Sequence, residues 1–228
     1  MLNTNNYNVA EHEQAIQEAV ASDPDATFRI VTIHQDIYGS GLDHSDTDGM
    51  ILRTQLTPIF DEYDIDVVLQ GHDHTYSRTK LLYGDGQSHG TYEFRLNEDG
   101  SDYDWDNAYN TQTDEQIPLY PEEGDTAGQA AHDAFQADNN CYTIEDVQGN
   151  TVTNPQGTLY MTANSASGSK FYELISSQQD YVAARSQNWL PSYSVINLTA
   201  TASRSTPTRS PTTARSRRST TPSPSAKR

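Results

Sequence analysis

Residues 64–79, DIDVVLQGHDHTYSRT, place two histidines one residue apart directly after an apolar run. The run at 64–70 predicts a buried strand, and Gly71 follows it where the backbone must turn or pack closely. On an extended chain, residues i and i+2 point the same way, about 6–7 Å apart. His72 and His74 are therefore expected to face one side, at the point where a strand gives way to a loop.

A second apolar run, FRIVTIH at 28–34, also predicts a strand that ends in a histidine, His34. Residues 50–63 between the two runs predict a helix, as do residues 9–22 before them. Strand, helix and strand in this order indicate a βαβ unit and a largely parallel, two-faced sheet in an α/β protein.

The carboxyl edge of a parallel sheet is where α/β proteins build their sites. If the two strands are neighbours, His34, His72 and His74 converge at that edge. Neutral imidazole is a common ligand of Zn, Fe and Mn, so the sequence predicts a metal site there. The alternative is that these are surface histidines with no shared role. Asp73 alternates to the other side and is expected to have a supporting or structural role.

Charge is divided unevenly along the chain. The sequence has 32 acidic and 14 basic residues, and seven of the basic residues lie in 201–228, where no acidic residue occurs. Residues 1–200 therefore carry 32 acidic against 7 basic residues, a net charge of −25. Such a body repels nucleic acid and anionic membranes, so neither is expected as a partner. An anionic substrate would bind only where bound cations make the local charge positive.

Cysteine content and hydropathy exclude a disulfide-stabilised protein, a cysteine metal site and a membrane-spanning segment. Cys141 is the only cysteine, which excludes an internal disulfide and a cysteine metal cluster. No apolar run is long enough to cross a membrane. Residues 1–13 lack the basic and apolar regions of a signal peptide.

The second half of the sequence is more polar. Residues 84–157 are rich in Asp, Asn, Gln, Gly and Thr and predict a long irregular insertion. After it, a strand is expected at 157–166, a helix at 171–188 and a last short strand at 193–198. Residues 201–228 contain mainly Ser, Thr, Pro, Arg and Ala, and predict a disordered basic tail after a domain of residues 1–200. The tail is either a natural basic segment or a frameshifted reading.

The segments HQDIYGSG (34–41) and DVVLQGHDHTYSRT (66–79) together resemble the C-terminal half of the calcineurin-like metallophosphoesterases. Within that family, the purple-acid-phosphatase-like subgroup is the most similar. The shared pattern is an apolar strand ending in His, followed by an apolar strand ending in Gly-His-x-His. The resemblance covers about residues 1–200 and implies part of an αββα sandwich.

The resemblance implies a metal-dependent phosphoesterase. His34 and His72 match ligands of one metal ion, and His74 matches a ligand of the other. The two ions, drawn from Fe, Zn and Mn, would flank a bridging hydroxide that attacks the phosphorus of a phosphate ester. His44 matches a histidine that contacts phosphate or protonates the leaving group, and its alternative is an exposed loop histidine. Full-length relatives are expected to be secreted or at the cell surface, and the location of this chain is left open.

The sequence departs from the family in its carboxylates. The motifs Asp-x-His, Gly-Asp-x-x-Asp or -Tyr, and Gly-Asn-His-Asp or -Glu do not occur in it. The chain is therefore expected to be the second half of an enzyme, with the N-terminal half as a further partner and no activity of its own. The alternatives are an inactive remnant and an acidic binding module that keeps part of the fold.

Overall fold

The computed structural model describes residues 1–42, 49–87, 89–101, 103–118, 121–149, 151–176 and 179–199. The chain divides into two units, Met1–Ile196 and Asn197–Arg228, and the fold described below is that of the first. The predicted disordered tail, 201–228, lies outside the described residues.

The elements that begin before residue 84, where the polar part of the sequence starts, are two helices and three strands: α1 Val9–Ser22, β1 Ile30–Thr32, α2 Met50–Glu62, β2 Val67–Gln70 and β3 Tyr76–Gly84. Both helix predictions and both strand predictions in this region are confirmed, with shorter strands. The backbone before β1 is paired with a side chain, because Asp66 Oδ2 accepts a hydrogen bond from the Arg29 N–H at 2.8 Å.

The remaining elements are one helix and six strands: β4 Tyr92–Leu96, β5 Tyr103–Asn110, β6 Gln116–Ile117, α3 Thr126–Asn139, β7 Tyr142–Ile144, β8 Thr158–Ala163 and β9 Val182–Ser186. The strand predicted at 157–166 corresponds to β8. In the described residues, no helix is long and apolar enough to span a bilayer.

The main sheet has the order β1-β2-β8-β3-β7, with β9 also paired to β3. Strands β1, β2 and β8 run parallel to one another, whereas β3 is antiparallel to β7, β8 and β9. The fold is therefore mixed α/β, as expected, but its sheet is mixed rather than largely parallel. The parallel strands lie together at one side of the sheet, and this arrangement aligns the ends of β1 and β2.

Helices α1 and α2 contact each other and contribute to the main core. Ile16 of α1 is buried, and Leu52, Leu56 and Phe60 of α2 are almost completely inaccessible to solvent. These apolar residues recur three or four positions apart, which puts them on one face of the helix. They pack with Val68 of β2, and this packing holds in place the strand that precedes the Gly-His-Asp-His segment.

The prediction that residues 84–157 are irregular is wrong. Strands β4, β5 and β6 form a three-stranded antiparallel sheet, and α3 follows it. Their buried side chains, Phe94, Ala108, Ile117 and Phe135, form a small cluster with Met50 of α2. The polar composition hid these elements because a strand such as β4 places one buried residue, Phe94, between exposed charged residues.

The helix predicted at 171–188 is also wrong. Residues 173–175 pair with residues 40–42: the Leu42 N–H donates to the Glu173 carbonyl, and the Ile175 N–H donates to the Ser40 carbonyl. Strand β9 then pairs antiparallel with β3. These long-range backbone partners replace the hydrogen bonds that a helix would make within itself.

The strand predicted at 193–198 is wrong as well. Residues 187–199 contain no strand, and their apolar side chains are exposed, with Tyr193 84% exposed. Within the described chain, no neighbouring strand pairs with this segment, so its β-branched composition has no sheet to join.

Candidate functional site

The parallel pairing of β1 and β2 brings His34 and His72 together. Thr32 pairs with Leu69, and just beyond the strands the Gly71 N–H donates to the His34 carbonyl at 3.0 Å. The centroids of the two imidazole rings lie 5.3 Å apart, with an interplanar angle of 77°. These two predicted site residues are therefore in ring contact at the carboxyl edge of the parallel strands.

His72 has an unusual backbone conformation. Its φ is +68°, in the left-handed region that residues other than glycine rarely occupy. The Asp73 N–H donates to the Gly71 carbonyl at 2.8 Å, which closes a tight turn around His72. A non-glycine residue in this region costs about 1–3 kcal/mol and persists only where the surrounding structure imposes it.

His74 is oriented by a backbone carbonyl. Its Nδ1 lies 2.8 Å from the Lys170 oxygen, and its ring centroid lies 5.2 Å from that of Tyr172. Because a carbonyl only accepts hydrogen bonds, Nδ1 carries the proton and Nε2 of the neutral ring keeps its lone pair. Metal-binding histidines commonly donate their other ring N–H in this way. The Gln187 side chain also donates to the His74 carbonyl, at 2.8 Å, and fixes the backbone.

The three histidines influence one another electrostatically. Partial burial lowers the pKa of His34, and repulsion from His72 and then His74 lowers it further. A lowered pKa leaves the His34 imidazole neutral at pH 7, with a lone pair available to a Lewis acid. The structure thus places all three predicted ligands in one electrostatic neighbourhood.

The donor set fits a transition metal in chemical type but is incomplete. Neutral imidazoles suit Zn and Fe. Among the described residues, however, no group of three or more His, Cys, Asp or Glu side chains is arranged to hold a metal ion. The three histidines alone do not form a closed ligand set.

The fourth predicted site residue, His44, lies in the segment 43–48, outside the described residues. Its assignment as a phosphate contact or general acid stays a prediction.

A pair of buried carboxyl groups lies next to the histidines in the sequence and within the fold. Asp36 is 2% exposed and Asp73 is 1% exposed, and their side chains are hydrogen bonded to each other. The Thr162 hydroxyl donates to Asp36 Oδ2 at 2.6 Å. Burial raises the pKa of Asp36 well above its usual range, and the charge of Asp73 raises it further. The sequence analysis missed Asp36, although its place two residues after His34 was a usable signal.

Gln70, the last residue of β2, ties the loop after β1 to the sheet. Its Oε1 accepts from the backbone N–H groups of Ile37 and Tyr38, and its Nε2 donates to the Tyr38 carbonyl at 2.8 Å. The amide also reaches the Thr162 hydroxyl at 3.3 Å. Sequence reasoning missed this residue too, and a polar Gln at the end of an apolar run was the available signal.

Comparison with known proteins gives two partial matches. No protein-family model matches the chain. The chain is similar to the uncharacterized protein Rv2577 of Mycobacterium tuberculosis strain ATCC 25618 / H37Rv, with 30% identity over 81 residues. The uncharacterized protein MT2654 of strain CDC 1551 / Oshkosh matches to the same extent. The matched stretch is 34% of this chain and 15% of each relative, so the chain spans only a small part of their length.

Proposed function

We propose that residues 1–200 are the C-terminal part of a metal-dependent phosphoesterase domain that hydrolyses phosphate esters. The observation that carries this proposal is the ring contact of His34 and His72, beside a His74 whose Nδ1 is engaged by a backbone carbonyl. Three imidazoles at one sheet edge are suited to hold cations rather than to act as isolated surface groups.

Each histidine has a defined part in the proposed site. His34 and His72 would hold one ion of Fe, Zn or Mn, and His74 would hold a second through Nε2. Such ions, when bound, supply Lewis acidity at the phosphoryl group and activate water near neutral pH. The lowered pKa of His34 keeps its nitrogen available. The bond from His74 Nδ1 to the Lys170 carbonyl orients the His74 ring, and the bond that Gln187 donates to the His74 carbonyl fixes the backbone.

The charge of the body supports a site that depends on cations. Residues 1–200 carry a net charge of −25, which repels an anionic phosphate ester. Bound metal ions are often the largest local charges in a site and reverse this repulsion where the substrate binds. Without them, the acidic surface has no evident means of attracting such a substrate.

The proposed site needs the carboxylate ligands of motifs that do not occur in this sequence. Two cations held close together by imidazoles alone repel each other, and no metal-binding group with a carboxylate is present among the described residues to offset this repulsion. We therefore infer that an upstream segment with Asp-x-His and Gly-Asn-His-Asp motifs completes the site, and that the 228-residue chain alone is inactive.

A second candidate function is a non-catalytic one, either an acidic binding module or an inactive remnant. The finding that favours it is that the described residues contain no metal-binding group of three or more His, Cys, Asp or Glu side chains. In that case, the histidines would be retained for the fold and would not bind metal tightly.

Hydrolysis of a chromogenic phosphate ester, with Zn, Mn or Fe added, tests the proposal. The assay compares the 228-residue chain with a longer chain that carries the upstream motifs. We expect turnover only in the longer chain, and His74→Ala is expected to remove it. His132→Ala is the matched control, since His132 lies on α3 beside Phe135 and outside the site.

Two outcomes contradict the proposal in different ways. An inactive longer chain that is folded and loaded with metal would exclude the phosphoesterase function and favour the binding module. Metal-dependent turnover by the 228-residue chain, lost in His74→Ala, would show that the upstream carboxylates are dispensable.

A further inference from the structure

Asp73 connects the loop after β2 with the loop after β1. Its side chain is 1% exposed, and its Oδ2 accepts a hydrogen bond from the Gly41 N–H at 2.7 Å. Because charge-assisted bonds to backbone N–H groups are strong and buried carboxylates are costly to leave unpaired, this contact holds the two loops in register. The residue between the two histidines is therefore anchored on the loop that follows His34.

Gly39 and Gly41 provide the space for this carboxyl group. A Cβ atom built at Gly41 would collide with the Asp73 carboxyl group, and one built at Gly39 would collide with the carboxyl groups of Asp73 and Asp36. Neither glycine has a positive φ, so the need for glycine here is steric and does not arise from a turn. The Gly-Ser-Gly sequence at 39–41 is thus explained by the passage of the Asp73 side chain.

The anchored side chain also accounts for the strained backbone at His72. Residue 71 is fixed on one side by the bond from its N–H to the His34 carbonyl. On the other side, Asp73 is held by both its backbone N–H and its carboxyl group. His72 lies between two fixed residues at a φ of +68°, and it would relax if either were released.

We propose that Asp73 is a positioning residue, whose bond to Gly41 imposes the left-handed conformation on His72 and thereby places its imidazole against His34. The consequence for metal binding rests on the proposed function. The consequence for the two rings does not, because it concerns the metal-free chain alone.

The experiment compares three variants of the full chain. Asp73→Ala removes the acceptor, whereas Asp73→Asn keeps an oxygen that can accept from Gly41. Asp66→Ala is the matched control, since it removes another carboxylate-to-backbone bond, that to Arg29, at the other end of β2. The first readout is the nuclear Overhauser contact between the His34 and His72 imidazole protons without metal. The second is Zn²⁺ affinity by calorimetry.

We expect the contact between the His34 and His72 rings to disappear in Asp73→Ala and to persist in Asp73→Asn and Asp66→Ala. Zn²⁺ affinity should fall about 10- to 100-fold in Asp73→Ala, the usual effect of removing a residue that orients a ligand, and recover largely in Asp73→Asn. A ring contact that survives in Asp73→Ala overturns the proposal, and so does its equal loss in Asp66→Ala.

Asp73→Ala could simply fail to fold, and Gly41→Ala then replaces it. That variant displaces the carboxyl group without removing it, so an unchanged contact between the rings in Gly41→Ala overturns the proposal and its loss supports it. A wild-type chain that binds no Zn²⁺ would count against the proposed function, whereas the ring contact would still decide the role of Asp73.

Discussion

The main sheet and the small sheet of this protein share one helix but are stabilised very differently. Leu52, Leu56 and Phe60 of α2 belong to the main core, whereas Met50 in its first turn belongs to the small cluster around Phe135. The main core draws on α1, α2 and several strands, whereas the small cluster has five buried members among the described residues. The comparison teaches that a polar segment can form a small aromatic cluster of its own and join the larger core through a residue of α2, Met50.

The candidate site lies entirely on the main-sheet side of this division. His34 and His72 follow β1 and β2, and His74 precedes β3. The small sheet contributes none of the three. We therefore expect the histidine cluster to survive perturbations of the small sheet and to be lost when the main core fails.

The largest effect is expected from Phe60→Ala. Phe60 is fully buried in the main core, and truncating a buried Phe costs about 3–5 kcal/mol. Because a domain of this kind has only about 5–15 kcal/mol of stability, a large part of it is lost. Urea unfolding should show a much lower midpoint and simultaneous loss of the contact between His34 and His72. A midpoint close to wild type would contradict the assignment of the core.

Phe135→Ala is expected to act locally. The side chain is buried against Tyr92 and Phe94, with ring centroids 5.1 and 6.2 Å away. We expect a cost of about 3 kcal/mol, felt as opening of the small sheet. Hydrogen exchange should become fast in β4 and β5 while β2 and β8 stay protected. Equal loss of protection in both sheets would show that they unfold as one unit.

Arg53→Met tests the link between the two regions. Arg53 is 1% exposed, and its guanidinium donates to the Ile37 carbonyl at 2.6 Å and to the Asn139 carbonyl at 3.3 Å. Removing the donors takes a hydrogen bond from the buried Ile37 carbonyl, which costs about 1–3 kcal/mol, and leaves the Asn139 carbonyl with only the weak bond from the Cys141 thiol. Because Ile37 follows β1 and Asn139 ends α3, we expect unfolding to separate into two transitions. A single transition would mean that the link lies elsewhere.

Cys141 provides a probe of burial that requires no substitution. It lies between α3 and β7, and burial raises its pKa to about 12. A thiol-specific reagent at pH 8 should therefore leave the folded chain unlabelled and label it fully in denaturant. Because the folded-state pKa lies above the unfolded value, stability should fall as pH rises from about 9 towards 12. Fast labelling of the folded wild-type chain would contradict the burial of this residue, and faster labelling in Phe135→Ala would sharpen the comparison of the two regions.

The main sheet could be predicted from the sequence because its strands are continuous apolar runs. Strands β1 and β2 alternate buried and half-buried residues, so neither face of either strand is fully exposed and their apolar composition marks them. Strand β5, YDWDNAYN, alternates aromatic and polar residues and was obscured by its acidic side chains. Residues 171–188 carried no local signal that β3 and residues 40–42 would supply their backbone partners.

The candidate site could be predicted only in part for a related reason. His34, His72 and His74 follow apolar runs, and a sequence pattern can locate such strand ends. The supporting residues, Asp36, Gln70 and Asp73, act through long-range hydrogen bonds that no local spacing encodes. These residues are buried because the loop after β1 folds against the end of β2, an arrangement that joins positions more than thirty residues apart in the sequence.

The most direct test of the central claim is a Zn²⁺ titration of the full chain, monitored by the imidazole NMR resonances of its histidines. The account predicts that the resonances of His34 and His72 change together at low Zn²⁺ concentration, and that the resonance of His74 changes only at higher concentration, because the first cation repels the second. Those of His12, buried on α1, and His132, on α3, should stay unchanged. If His34 and His72 do not respond, or respond no more than His12 and His132, the metal site proposed at the ends of β1 and β2 is wrong.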